Sequence, residues 1–135
     1  MRYRKNKLGN KKIETPFGTF DSKAELERFY DLHFLLQRGS ISNLERQVVF
    51  HLIPPAREIL GEYTKGPRKG QTKYGKTIER GVDYVADFVY IDTRTGEKVV
   101  EDVKGFRDTS SAAYKVFIIK RKLMLWIHGI HVKEV

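Results

Sequence analysis

The sequence contains no cysteine, and this absence removes several kinds of chemistry at once. Without cysteine the chain forms no disulfide, holds no metal through thiolates and has no thiol nucleophile. Long apolar runs are missing as well, because charged residues interrupt each of them, as in VFIIKRKLMLWI. A membrane-spanning helix needs about 20 predominantly apolar residues, so we expect no membrane span and no membrane partner.

The sequence motifs of three common enzyme classes are also absent. The chain has no GxxxxGK[ST] loop, no GxGxxG pattern after a predicted strand and no GxSxG pattern. Phosphate-binding loops, dinucleotide-binding folds and serine hydrolases therefore have no support. No apolar segment follows the basic N-terminus, so we expect no signal peptide either.

Acidic residues are few compared with basic ones. The chain has 26 lysines and arginines against 17 acids, a formal net charge of +9 and a pI near 9.8. Such an excess of positive charge indicates a polyanionic partner, although it does not select a function by itself. A length of 135 residues predicts one domain, which we place at 19–135, after a basic N-terminal tail at 1–18.

Two basic segments are candidates for contact with a nucleic acid. The first twelve residues hold six basic side chains and no acid, which is typical of a disordered tail that can also bind phosphates. The second segment runs from about 57 to 80, where four glycines and many lysines predict a long flexible loop. Such a loop suits a phosphate backbone, and a solvated insertion without a role is the alternative. The residues that we expect to bind nucleic acid here are Arg68, Lys69, Lys73, Lys76 and Arg80.

The pattern of apolar residues predicts an α/β fold with a mixed central β-sheet flanked by helices. The first helix begins at a capping-box pattern, SKAE, with Asp21 or Ser22 as the cap. The hairpin signal is a Val-, Tyr- and Ile-rich run followed by a turn that contains Gly96. The predicted elements, in chain order, are a helix to about 37, a strand at 43–53, a β-hairpin at 82–104, a helix at 112–128 and a short strand at 130–135.

The second predicted helix is apolar around almost its whole circumference. Only Lys115, Lys120, Arg121 and Lys122 interrupt its run of large apolar residues. A helix with this pattern is buried on most of its sides. We therefore expect one side to pack on the sheet, and the other side either to be covered within the chain or to contact a second subunit of a homodimer.

The hairpin carries three residues whose types suit metal-assisted hydrolysis. Asp87 lies in an apolar run, where an unpaired carboxylate is costly, and Asp102 and Lys104 share one face of the returning strand. Two converging carboxylates suit Mg²⁺, with Mn²⁺ as a substitute. The lysine can then orient a water molecule or stabilise developing negative charge. The plainer alternative is an exposed ion pair between Asp102 and Lys104 near the end of a hairpin.

The order of these residues resembles the PD-(D/E)XK nuclease superfamily. Asp87, followed a hairpin later by Asp102-Val103-Lys104, is similar to the Asp…(Asp/Glu)-x-Lys signature of that superfamily. The wider string, DSKAELERFY, then YVADFVYIDTRTGEKVVEDVKG, then a helix ending in HGI, resembles a phage-encoded branch related to Holliday-junction resolvases. The likeness covers about residues 20–135. Ala86 stands in place of the signature's proline, and strand parity with Lys104 favours Asp102 over its neighbour Glu101.

This resemblance implies a restriction-endonuclease-like core and a metal-dependent DNA endonuclease. It implies that Glu25 on the first helix joins Asp87 and Asp102 in holding one or two Mg²⁺, beside the backbone carbonyl near Val103, and that Lys104 assists the reaction. Without the resemblance, Glu25 would be interpreted as a capping residue near the helix N-terminus. The expected substrate is branched or duplex DNA in phage recombination or replication, in the cytoplasm of a bacterial host.

Two other functions are compatible with the same residues. One is a non-catalytic DNA-binding or recombination accessory protein, in which the acids serve structure alone. The other is a nuclease of the same fold that selects a sequence instead of a DNA structure. Gln47 and His51, on the strand at 43–53, could border the acidic site, and we expect both to be ordinary strand residues.

Overall fold

In the computed structural model, residues 3–5, 11–105 and 108–135 are described, and for 3–5 only the backbone. This part of the chain is mixed α/β, with two helices and nine strands in three sheets. The predicted α/β class is therefore confirmed. The elements, in chain order, are β1 Tyr3–Lys5, β2 Lys11–Thr15, β3 Gly18–Phe20, α1 Lys23–Gln37, β4 Ile41–Ile53, β5 Ala56–Glu62, β6 Thr72–Glu79, β7 Val82–Asp92, β8 Lys98–Asp102, α2 Ala112–His128 and β9 Lys133–Glu134.

The central sheet has four strands in the order β4-β7-β8-β9. The β4–β7 and β7–β8 pairs are antiparallel and the β8–β9 pair is parallel, so the sheet is mixed, as predicted. Two separate apolar clusters cover it. Phe29 and Leu32 of α1 pack in one cluster with Phe88 of β7, and Phe117 and Met124 of α2 pack in the other.

Strand β7 changes face in its middle. Tyr84 and Ala86 belong to the α2 cluster, whereas Phe88 and Tyr90 belong to the α1 cluster. Residues two apart on a regular strand share a face, so the side chains must rotate between Ala86 and Phe88. Asp87 lies at this point. On the neighbouring strand, between the residues paired with Phe88 and Ala86, Gln47 has a φ of +51° in the left-handed region.

The helix bounds follow from local signals that were visible in the sequence. Ser22 caps α1 by accepting a hydrogen bond from the N–H of Glu25 at 3.1 Å, and Ser111 caps α2 in the same way. Gly39 and Gly129 end the two helices with φ values of +77° and +67°. Neither helix, in the part of the chain that the structure describes, is long and apolar enough to cross a membrane.

The predicted N-terminal tail is wrong over residues 11–18. Strands β2 and β3 pair as an antiparallel hairpin, and β1 adds a third strand. Ile13 and Phe20 are buried in the α1 cluster, so this small sheet contributes to the core. Burial of these two side chains outweighs the basic composition that indicated disorder. Residues 1–2 and 6–10 of the predicted tail lie outside the described residues.

The predicted basic loop is also wrong in form, because it folds as an antiparallel hairpin. Strands β5 and β6 pair in a two-stranded sheet, joined by a turn at 63–71, and we call residues 56–79 the β-arm. Nearly every residue of the two strands is exposed, so they lack the buried-exposed alternation that identifies strands in a sequence. At its base, a Cβ on Gly81 would come within 2.7 Å of the Ile53 carbonyl oxygen, so this close approach requires glycine.

Helix α2 is buried on one side only, although its composition predicted burial on most sides. Phe117 and Met124 face the sheet and are buried. On the opposite side, Ile119 is 58% exposed and Trp126 is 86% exposed. The described residues of the chain therefore leave this side of α2 exposed, and a second subunit stays a prediction.

Candidate active site

The side-chain amide of Gln47 links two of the acids predicted for the site. Its Nε2 donates to Oε1 of Glu25 at 2.8 Å and to Oδ1 of Asp87 at 3.2 Å. We expected Gln47 to be an ordinary strand residue, but the structure places it in contact with both carboxylates. A left-handed backbone at a glutamine has no local sequence signal, so the residue pattern alone did not separate Gln47 from the other bordering candidate, His51. His51, the other candidate, instead lies 2.9 Å from Asp83 on the surface.

Glu25 combines a capping role with its place in the site. Its Oε2 accepts a hydrogen bond from the backbone N–H of Asp21 at 3.1 Å, while Oε1 faces Gln47. The residue is only 4% exposed. Burial, reinforced by the negative charge of Asp87, raises the pKa of Glu25 from its ordinary 4.5 to about 7. This carboxyl group therefore exchanges its proton near neutral pH.

Asp87 lies between the first helix and the end of β8. Its Oδ2 accepts a hydrogen bond from the backbone N–H of Val103 at 2.7 Å, and its Oδ1 accepts from Gln47. The pKa of Asp87 is raised mainly because burial disfavours the charged form, and the charge of Asp102 adds to the effect. The two hydrogen bonds and the charge of Lys104 oppose this shift only in part.

Asp102, the last residue of β8, forms an ion pair with Lys104, which follows the strand. Lys104 Nζ lies 2.6 Å from Oδ1 of Asp102, and the Tyr84 hydroxyl donates to Oδ2 at 2.8 Å. The ammonium group also lies 3.8 Å from the centroid of the Phe117 ring, which fixes it from the α2 side. The ion pair of the plainer alternative is thus present, but it is largely buried and its charges act on Asp87.

The neighbouring acid, Glu101, lies on the opposite face of β8. Arg28 donates from Nε to Oε2 of Glu101 at 2.9 Å and from Nη2 to Oε1, and the Tyr90 hydroxyl donates to Oε1 at 2.7 Å. Glu101 is completely buried, and its hydrogen bond raises the pKa of Arg28. Strand parity favoured Asp102 over Glu101 on the side of Lys104, and the ion pair of Asp102 with Lys104 has this arrangement; the choice of Asp102 as the metal ligand stays a prediction.

The acids form a connected series, not a closed shell of ligands. Among the residues that the structure describes, no three acids or histidines lie close enough together to hold one metal ion. Mg²⁺, however, commonly binds through one or two protein carboxylates, with water and substrate phosphates completing its shell. Burial is the main cause of the raised pKa values of Glu25 and Asp87, and a bound cation would offset part of the cost of charging these carboxyl groups. The oxygen donors present therefore fit a hard divalent cation.

The five basic residues predicted to bind nucleic acid lie apart from the acids, on and beside the β-arm. Arg68 and Lys69 are in its turn, Lys73 and Lys76 are on β6, and Arg80 follows β6 at the base of the arm; all are exposed. Arg68 and Lys73 lie 5.6 and 5.9 Å from the ring centroid of Tyr63. The arm leads directly into β7, five residues before Asp87. One strand therefore connects the basic arm to the acidic site.

Comparison with known families adds one finding. A family model described as Protein of unknown function (DUF1064) matches residues 5–130. No curated protein and no solved structure matches the chain. The matched region contains all the acids described above, together with the β-arm and both helices.

Proposed function

The chain belongs to the DUF1064 family, and from its acidic site we propose that it is a metal-dependent DNA endonuclease that hydrolyses phosphodiester bonds. One observation carries the proposal: Gln47 ties Glu25 to Asp87, beside the buried ion pair of Asp102 and Lys104. Carboxylates with raised pKa values next to a fixed ammonium group are typical of catalytic sites.

In this proposal, each polar residue of the site has a separate role. Asp87 and Asp102 hold Mg²⁺, or Mn²⁺ in its place, with Glu25 and the carbonyl oxygen of Val103 as further oxygen donors. When bound, the ion supplies positive charge against the phosphodiester and makes water a stronger nucleophile at neutral pH. Lys104, held by Asp102 and the Phe117 ring, orients the attacking water or stabilises charge on the phosphate.

Glu25 and Gln47 set the conditions under which the site works. Gln47 fixes the distance between Glu25 and Asp87 through one amide nitrogen. Because the pKa of Glu25 is about 7, this carboxyl group is charged, and able to act as an oxygen ligand, mainly above neutral pH. Activity should therefore increase as the pH rises through 7.

The restriction-endonuclease-like core and the branched-DNA substrate belong to the finer part of the proposal. A mixed sheet with a helix against each face supports the core, since the acids come from the first helix and from β7 and β8. The resemblance to phage Holliday-junction resolvases supports a structure-selective enzyme of recombination or replication that acts in the host cytoplasm. The net charge of +9 and the basic β-arm support DNA as the partner, and the exposed side of α2 supports a homodimer.

Cleavage of a four-way junction and of a linear duplex, each with Mg²⁺, tests the proposal. We expect Asp87→Asn and Lys104→Met to lower the cleavage rate by about 100-fold or more while DNA binding is retained. Asp83→Asn is the matched control, because it makes the same change at an exposed position of the same strand. Preference for the junction supports structure selection, and preference for particular duplex sequences supports the sequence-specific alternative.

Two outcomes would contradict the enzyme. Equal cleavage by wild type and both site variants would trace the activity to a contaminant or to another site. DNA binding by wild type with no Mg²⁺-dependent cleavage of either substrate would favour the non-catalytic accessory protein.

A further inference from the structure

A second basic surface lies at the end of the central sheet opposite the β-arm. A groove of about 730 Å³ opens there between the end of α1, the start of β4 and the turn that joins β7 to β8. Four cationic side chains line it, and Asp92 is the one acid among its described lining residues. We call it the α1 groove; its cations are Arg28, Arg38, Arg94 and Lys133.

The walls of the α1 groove are fixed by hydrogen bonds. The Thr93 hydroxyl lies 2.7 Å from the Gly39 carbonyl oxygen and 2.9 Å from that of Ser40, which ties the two turns of the rim together. Arg28 is held at the back by its buried ion pair with Glu101. The carboxylate of Asp92 accepts a hydrogen bond from within its own turn. A surface held in this way is ready for a ligand without reorganisation.

The two basic surfaces lie on either side of the acidic site along one strand. The β-arm joins β7 at Val82, the α1 groove includes Asp92 at the other end of β7, and Asp87 is the middle residue between them. At about 3.3 Å per residue, each end lies roughly 17 Å from Asp87, and the two ends are about 33 Å apart. One turn of B-DNA has about the same length, 34 Å or 10 base pairs.

We infer that the α1 groove is a second phosphate-binding surface, and that the substrate is duplex DNA of at least about one helical turn, held on both sides of the cleavage site. The inference rests on the proposed function and narrows its substrate. Contacts on both sides of Asp87 favour cutting within a duplex over removal of nucleotides from an end. The β-arm binds one flank of the duplex and the α1 groove binds the other.

Binding of labelled duplexes without divalent ions, so that no cleavage occurs, tests the inference. We expect Arg38→Glu combined with Arg94→Glu to lower the affinity for a duplex of about 30 base pairs by ten-fold or more. The slope of log affinity against log salt concentration should become shallower by about two. A duplex of about 8 base pairs cannot reach both surfaces, so its affinity should change much less. Lys115→Glu with Lys122→Glu, on exposed positions of α2, is the control with the same total change in charge, and sedimentation checks that it keeps the oligomeric state of wild type.

The inference is overturned if the groove variant binds the long duplex as wild type does, or if the α2 control weakens binding equally. Far-ultraviolet circular dichroism of each variant confirms that the fold is intact before binding is compared. Failure of the proposed function has a different signature, namely absence of Mg²⁺-dependent cleavage by wild type whatever the binding data. The two conclusions can therefore fail separately.

Discussion

Two buried acidic clusters lie on the same pair of strands, β7 and β8. They differ in how far neighbouring positive charge compensates their negative charge. Around Glu101, Arg28 donates two hydrogen bonds and Tyr90 donates one, so the negative charge meets a positive one. Around Asp87, the hydrogen bonds come from a neutral amide and a backbone N–H. The carboxylates of Glu25 and Asp102 add negative charge, which Lys104 offsets only in part.

The difference separates structural acids from candidate catalytic ones. Glu101 and Asp102 are adjacent in the chain, yet strand alternation directs them to opposite faces with different neighbours. A neutralised ion pair is a way to bury a carboxylate, whereas uncompensated charge destabilises the fold. Groups that destabilise a fold are found where a function needs them, so the Asp87 cluster is the better candidate site.

Removal of the Glu101 charge should have the largest effect on stability. Glu101→Gln leaves the guanidinium of Arg28, whose side chain is 23% exposed, without a charged partner, and we expect a loss of about 3 kcal/mol in the free energy of unfolding. Urea denaturation measures this loss. The double variant Arg28→Met with Glu101→Leu should recover most of it, because apolar residues of similar size need no partner. A loss below about 1 kcal/mol in Glu101→Gln would show that the Arg28 guanidinium does not depend on the negative charge of Glu101.

Glu25→Gln should have a smaller effect with a distinctive pH dependence. The pKa of Glu25 is higher in the folded chain than its ordinary value, so its contribution to stability is complete below pH 4.5 and is lost as the pH rises through 7. Relative to wild type, the variant should therefore gain about 2 kcal/mol in unfolding free energy between pH 5 and pH 8 without divalent ions. Denaturation at several pH values measures it, with Glu27→Gln as the control for loss of a glutamate on the same helix. A pH-independent difference would contradict the assignment of uncompensated charge to this cluster.

Addition of Mg²⁺ should have the smallest effect and should discriminate between the two clusters. At pH 8, Mg²⁺ at about ten times its dissociation constant should stabilise a protein that binds it only when folded by about 1.4 kcal/mol, or a few degrees in Tm. We expect this increase in wild type and in Glu101→Gln, each compared with its own metal-free sample, and not in Asp87→Asn. If Asp87→Asn keeps the full increase, the cation binds outside the Asp87 cluster.

The parts of the fold that could be predicted are those that depend on neighbours in sequence. Ser22 and Gly129 mark helix ends because capping hydrogen bonds and left-handed glycine act within one turn. Asp87 and Asp102 could be chosen because each lies on one strand of a hairpin that local signals predict, and the pairing of Phe88 with Glu101 puts both acids one residue beyond that pair. These signals are local, so they can be recognised without knowledge of the rest of the chain.

The missed parts depend on contacts that are distant in sequence. The β-arm exposes both of its faces, so its strands carry no apolar periodicity for a sequence to show. The strand that contains Ile13 is stabilised by packing against α1, which its basic neighbours do not indicate. Gln47 adopts a left-handed backbone that tertiary structure imposes, and its contact with Glu25 and Asp87 follows from that conformation.

The left-handed backbone of Gln47 also changes the exposed edge of the central sheet. β4 forms a border of the four-stranded sheet, and a long, regular border is a template on which other chains can assemble by main-chain pairing. Gln47 and Asn43, which has a φ of +53°, interrupt the regular strand at two points. Their peptide groups therefore do not follow the regular hydrogen-bonding pattern of the strand edge. The conformation that places the Gln47 amide beside two carboxylates therefore also makes this edge a poorer template for pairing with another chain.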